Sequence, residues 1–277
     1  MQLFPATFLL LLQQLALGGL FALAVPPFHE MERGFYKSTA AVLFIAALLA
    51  LWGKADLFLR VFSSSEHRIW AAFELFFCAA FVILLALYLI SLWGERTRFR
   101  ARAFSSSCLI GLAGLVLTSF NLHKAPFLSV ESFLFPLSLI LSSLLLGSAI
   151  VGMLLGHWYL IDAGQSLTPL ILSLKFFVYV LVFQIVFFLL SLPALSLLGS
   201  QETLLGIGRL WEEHLTLFSA RILVAQIGPL ILSYMIWQTL KIPHTMAATG
   251  LFYIALLGVF VGEILGRHLF ALTALPF

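Results

Sequence analysis

Charge is what this chain has least of. Asp, Glu, Lys and Arg make up 10% of its 277 residues, against 62% apolar residues and a mean hydropathy of +1.10. A soluble globular domain carries about 25% charged residues, so that class is excluded. Cysteine is nearly absent: Cys78 and Cys108 are the two present, each inside an apolar run. There is no Cys-x-x-Cys-His for covalent haem and no cysteine set for an iron–sulfur cluster or structural zinc. If electrons pass through its assembly, the metal clusters belong to other subunits, and no metal site is expected here. Long polar connections are missing too, which leaves residues 1–277 as a single integral membrane domain. Lysine and arginine are lacking ahead of Ala22-Leu23-Ala24, a small-residue triplet that resembles a cleavage site. A signal peptide needs a basic leading segment, so the expectation is an uncleaved first span.

What is present is apolar length. A helix needs about 20 apolar residues to cross the hydrocarbon core. The sequence predicts spans near 6–25, 38–53, 69–93, 107–123, 130–156, 168–196, 214–240 and 246–268, the second extending past Lys54. The expected fold is all-α, a polytopic bundle of eight transmembrane helices. Arg96, Arg98, Arg100 and Arg102 crowd the connection between spans three and four, opposed by Glu95. The positive-inside rule puts that connection in the cytoplasm and both termini on the outer, periplasmic side of a bacterial inner membrane. Arginines beside anionic lipid account for the basic balance, so a nucleic-acid partner is not expected. Pro136, Pro193 and Pro229 fall within spans and predict kinks. Gly111, Gly114 and Gly147 predict close helix contact. The stretch from Ser196 to Glu213 reads as the longest polar connection, on the outer side.

The charges within spans gather near that outer end. Glu74 lies five residues into span three, Glu131 opens span five, Arg221 lies about seven residues into span seven, and Glu263 with Arg267 and His268 closes span eight. At ~1.5 Å per residue these sites share a layer within ~10 Å of the outer boundary. His67, His123 and His214 belong to the same end. A charge inside a span is costly and usually marks a functional path. Glu263 and Arg267 stand at i and i+4, the favourable order for a pair on one face, and Arg221 can reach them from the neighbouring antiparallel helix. That set reads either as a structural ion-pair network or as a polar pocket for a small amphipathic molecule that exchanges protons, such as a quinol. Glu74 has no cation at helical spacing in its own span, so desolvation should suit it to accept a proton. His157-Trp158-Tyr159 reads as an aromatic-belt anchor at the cytoplasmic end. Lys175 reads as a snorkelling residue, with a proton path shared with Asp162 as the other possibility.

Span eight ends in Gly262-Glu263-Ile264-Leu265-Gly266-Arg267, span one holds Gln14 followed by Gly18-Gly19, and span seven holds Arg221-Ile222. With Pro126 and Pro136 around span five, these segments resemble the membrane-anchor subunit of dimethyl sulfoxide reductase, within the polysulfide-reductase and NrfD-like group. The resemblance implies an anchor that binds menaquinone or ubiquinone near the outer face. It implies electron exchange with an attached iron–sulfur or cytochrome subunit, itself tied to a catalytic subunit. By position it ties Glu74 to the quinol, and the shared outer layer adds Arg221 and Glu263 as catalytic candidates and His67, His123, Glu131, His214, Arg267 and His268 as candidates to bind the ring. One departure is visible: where the group has His-Leu-Gly at the end of span two, this chain reads Leu51-Trp52-Gly53. Two other classes stay open. A secondary transporter or channel would place polar residues at mid-membrane, where Gln184 and Gln226 are the notable ones. A haem-b cytochrome would need facing histidines, which His123, His214 and His268 supply only near the outer boundary.

Overall fold

A computed structural model describes residues 3–61, 68–122, 129–161, 164–242 and 244–276. The described residues are all helical apart from short connections. In chain order the helices are α1 (Leu3–Ala22), α2 (Arg33–Val61), α3 (Arg68–Ser91), α4 (Thr97–Leu122), α5 (Val130–Ile161), α6 (Thr168–Leu198), α7 (Gln201–Glu212), α8 (Leu215–Ile222), α9 (Gly228–Lys241) and α10 (Thr245–Thr273). A single π turn, Leu223–Ile227, joins α8 to α9, so Leu215–Lys241 runs as one rod. Seven helical stretches are long and apolar enough to cross a membrane, which makes the chain a multi-pass membrane protein.

Helix α1 stands apart. Its described apolar stretch, Phe8–Ala22, is shorter than the seven. Apart from Gln13 and Gln14 it is apolar round its whole surface from Phe8 to Ala22, and residues 13–20 are buried without a break. A helix of that kind belongs in a core, and α1 forms the central post, packed on α2, α4, α5 and α10. Glycine makes its tightest crossing possible. A Cβ on Gly18 would lie 1.6 Å from the Ser143 carbonyl oxygen, and one on Gly147 would lie 1.8 Å from the Gly18 carbonyl carbon. The α1 and α5 backbones touch there, as small-residue interfaces in membranes allow. Ser143 Oγ donates to the Gln14 carbonyl at 2.8 Å and Gln14 Nε2 to the Leu139 carbonyl at 2.9 Å, sealing the same crossing.

Two segments expected to be loops are helical. The arginine-rich connection is mostly the first turns of α4, which begins at Thr97 and so includes Arg98, Arg100 and Arg102. Arginine is a good helix former, and Arg100 lays its guanidinium over the Phe28 ring, 4.2 Å from its centroid. The expected outer connection is α7, an amphipathic helix capped by Ser200, whose side chain accepts from the Thr203 N–H. It buries Thr203, Gly206 and Leu210 and leaves Leu204, Leu205 and Trp211 exposed. Pro136 and Pro193 sit inside uninterrupted α5 and α6. At Pro229 the ladder does change. Proline lacks an N–H and its ring crowds the carbonyl four residues back; the π turn lies immediately ahead, where the Gly228 N–H reaches the Leu223 carbonyl instead.

Candidate functional site

The charged layer expected from the sequence divides into separate places. The first is built by α1, α2, α3 and α4. Lys54 lies seven residues before the last residue of α2, Val61, and Glu74 six residues after the first of α3, Arg68. At ~1.5 Å per residue both are about 10 Å from the same helix ends, so antiparallel packing sets them level. Lys54 Nζ meets Glu74 Oε1 at 2.6 Å. It also donates to Gln13 Oε1 at 2.5 Å. From α4, Thr118 Oγ1 donates to Glu74 Oε1 at 2.9 Å and Asn121 Nδ2 to Oε2 at 3.1 Å.

Glu74 has no cation at helical spacing in its own span, as the sequence reads, and the one that it meets comes from α2. Spacing along one helix could not show that the neighbouring helix supplies one. Beside the pair lies a cavity of about 180 Å³, walled by Leu10, Leu57, Phe58, Leu75 and Leu122 and floored by Lys54, Glu74, Thr118 and Asn121. The pair is incompletely covered: the Lys54 side chain is 11% exposed and that of Glu74 20%. Drug-sized pockets run from about 300 to 1,000 Å³, so this space suits one small polar head rather than a whole large ligand. Its lining brings together a carboxylate acceptor, an ammonium donor and an apolar wall.

The second place is closed. Glu263 on α10 is 0% exposed, Arg221 on α8 1% and Arg267 on α10 4%. Arg221 Nη2 lies 3.7 Å from Glu263 Oε1, and Arg267 Nη2 lies 3.4 Å from Oε2. Gln184 of α6 donates to Oε1 at 3.0 Å. The expected meeting of Arg221 with the Glu263–Arg267 face is therefore present. Arg221 Nε also donates to the Gly262 carbonyl at 3.3 Å, and its guanidinium stacks on Phe188, 4.4 Å from the ring centroid. Gly266 is the space Arg221 occupies: a Cβ there would lie 2.4 Å from Nε. Two cations face one anion, and Arg221 Nη1, Arg267 Nε and Gln184 Oε1 are buried without a hydrogen-bond partner among the described residues. The arrangement locks α6, α8 and α10 together. It leaves little access for a ligand.

Glu131 goes to a third place. Its Oε1 accepts from the Ser200 N–H at 2.5 Å and from Thr203 Oγ1 at 2.9 Å, so it holds the start of α7 against α5. Anions suit a helix N-terminus, where backbone N–H groups are free. His214 precedes α8, with its Nε2 3.7 Å from Glu213 Oε2. His268 is exposed on α10, away from the buried face of Arg267. His67 and His123 lie outside the described residues, as does Asp162. No group of three or more potential metal ligands occurs among the described residues. At the opposite end, the His157 Nδ1 and Tyr253 hydroxyl stand 3.5 Å apart, while Trp158 packs against Gly34 and Phe35.

The sequence reading missed Lys54 as the partner of Glu74, along with Gln13, Thr118 and Asn121. One signal was available: Lys54 is the cation that matches Glu74 in depth on an adjacent antiparallel span. Comparison with protein-family models, with curated proteins and with solved structures returns no match.

Proposed function

We propose that the chain is a quinone-interacting integral membrane anchor of a multi-subunit oxidoreductase, with the quinone head group bound at Lys54 and Glu74. One observation carries the reading: a paired acid and base sit beside an apolar-walled cavity of about 180 Å³. A quinol ring needs a proton acceptor at one hydroxyl, and Glu74 supplies a carboxylate. A quinone carbonyl needs a donor, and Lys54 supplies an ammonium. The isoprenoid tail needs apolar surface, and the leucines and Phe58 of the wall supply it. Oxidation of a quinol releases two electrons and two protons. The protons leave through Glu74 toward the near end of the bundle, and the electrons pass to an attached iron–sulfur or cytochrome subunit joined to a catalytic subunit.

In this reading α1 is an eighth span, both termini lie outside, and the arginine-rich start of α4 lies in the cytoplasm of a bacterial inner membrane. Menaquinone or ubiquinone is the substrate. Glu263, Arg221 and Arg267 hold the neighbouring helices rather than the ring, and no haem is assigned. A quinol head at Glu74 lies near the membrane boundary, so the electrons need not cross the membrane.

The test is equilibrium binding of a short-chain naphthoquinone analogue to the purified chain. Glu74→Gln and Lys54→Met should each weaken binding by about tenfold, the effect of losing about 1.4 kcal/mol, while Glu263→Gln that remains folded should not. Unchanged affinity in both cavity variants rejects the assignment. Co-purification in mild detergent, with accompanying chains identified by mass spectrometry, tests the partner. A stoichiometric iron–sulfur or multihaem chain is the expected companion.

A second reading is a secondary transporter, favoured by the π turn at Leu223–Ile227 beside the charged layer, since transporters place interrupted helices at their substrate sites. The closed packing of Arg221 and Glu263 weighs against it. Solute uptake by proteoliposomes containing this chain alone would favour it.

A further inference from the structure

Lys175 is used by none of the three charged places above. It lies seven residues after the first residue of α6, Thr168, at the end of the bundle shared by the arginine-rich start of α4. On the antiparallel neighbour, Tyr234 lies seven residues before the last residue of α9, Lys241. Both are thus about 10 Å from that end at ~1.5 Å per residue. Between them is a cavity of about 410 Å³ lined by Lys175, Tyr179, Ser233, Tyr234 and Trp237, with Leu174, Val178 and Leu230 as its apolar wall. The Ser233 hydroxyl is spent on the Pro229 carbonyl at 2.7 Å. Lys175, Tyr179 and Tyr234 are exposed. None of the described lining residues is acidic, so the groove carries one positive charge. Lys241, 5.8 Å from the Trp237 ring centroid, stands above it at the helix end.

A lysine this far inside an apolar helix is costly unless it reaches a polar partner. Its four-carbon stem is long enough for the ammonium to reach toward the headgroup region, and Trp237, four residues before the end of α9, stands at the depth that tryptophan prefers. We propose that this groove is a binding site for an anionic phospholipid of the leaflet on the arginine-rich side. The phosphate sits on the Lys175 ammonium, with the Tyr179 and Tyr234 hydroxyls as further donors. One acyl chain lies along the apolar wall between α6 and α9. Charge complementarity selects this occupant: the lining holds a cation, two hydroxyl donors and no anion, so it discriminates an anionic lipid from a zwitterionic one. The inference is independent of the quinone reading, because the two cavities lie at opposite ends of the bundle.

The test is native mass spectrometry of the purified full chain, released from nanodiscs containing equal amounts of phosphatidylglycerol and phosphatidylcholine. Wild type should retain one phosphatidylglycerol in preference to phosphatidylcholine. Lys175→Gln should reduce that preference about fivefold, the effect of one lysine at an anionic surface worth about 1 kcal/mol. Lys175→Arg should preserve it. Equal retention of the two lipids by wild type overturns the proposal without any variant being needed, and so does undiminished preference in Lys175→Gln. Displacement of the retained lipid by a short-chain naphthoquinone, dependent on Lys175, would also overturn it and assign the groove to a quinone.

Discussion

Glu74 and Glu263 are the same residue type near the same end of the bundle, each held by a cation from another helix, yet their surroundings differ. Around Glu263 every side is filled: two arginines, a glutamine amide, the Phe188 ring and a glycine that makes room. Around Glu74 one side is left as a cavity, and the polar neighbours are a flexible lysine, a threonine and an asparagine. Arginine presents a rigid planar fork, whereas lysine is a mobile point charge. A charge network with no free volume fixes helices. An ion pair next to free volume can exchange one partner for a ligand. The contrast separates a closed charge network from an ion pair with room beside it, and the proposed quinone site rests on that room.

That comparison can be broken at several points. The largest effect is expected from Glu263→Gln, which leaves two buried arginines without their anion. Removing one partner of a buried pair costs about 3–5 kcal/mol. Thermal unfolding in detergent should show the melting temperature falling far more for this variant than for Glu74→Gln. An equal fall in the two variants would erase the distinction between a closed network and an open site. Next comes Gly18→Ala, which puts a methyl group into the α1–α5 backbone contact; overpacking of this kind costs about 1–3 kcal/mol. Its folded yield on size-exclusion chromatography should drop, while Gly250→Ala, with open space around its Cβ position, should leave the yield unchanged.

Gly266→Ala sharpens the comparison further. The added methyl group must displace Arg221, so it should lower stability without altering quinone-analogue affinity. The smallest effect is expected from Thr203→Val, which removes the hydroxyl donated to Glu131 but keeps the side chain's shape. The loss should be about 1 kcal/mol, seen as a small shift in unfolding. A larger shift would mean that Glu131 does more than hold α7.

Much of the fold was legible because hydrocarbon leaves so few choices. Backbone groups in a bilayer must be satisfied within the segment, so apolar length alone predicts helices. The starts of α3, α5 and α6 fall within a residue of expectation. Boundaries moved where side chains of mixed character extend a helix beyond the apolar run, as the arginines do at α4 and His157-Trp158-Tyr159 do at the end of α5. Helix α7 was read as a loop because its apolar residues cover only part of its surface and fall short of a span.

The candidate site was half legible. Glu74, Arg221, Glu263 and Arg267 stood out because charges are rare in apolar runs, and the i, i+4 spacing of Glu263 and Arg267 predicts their pairing. Lys54 did not stand out, because its role depends on the height at which α2 packs against α3. Glu131 was grouped with the ligand residues on depth alone, and the fold of residues after α6 gave it a helix to cap.

By itself, the sequence determined that this is a multi-pass helical membrane protein, which end carries the buried acids, and which acid and arginine share a face. Those properties follow from composition and helical period, both local. Tertiary structure decided which charges meet, which glycines bear a backbone crossing, that the first helix is the central post, and where free volume remains beside a charge. Such properties depend on contacts between residues far apart in the chain, such as Lys54 with Glu74 or Gln184 with Glu263, whose distances are set by packing rather than by spacing along any helix.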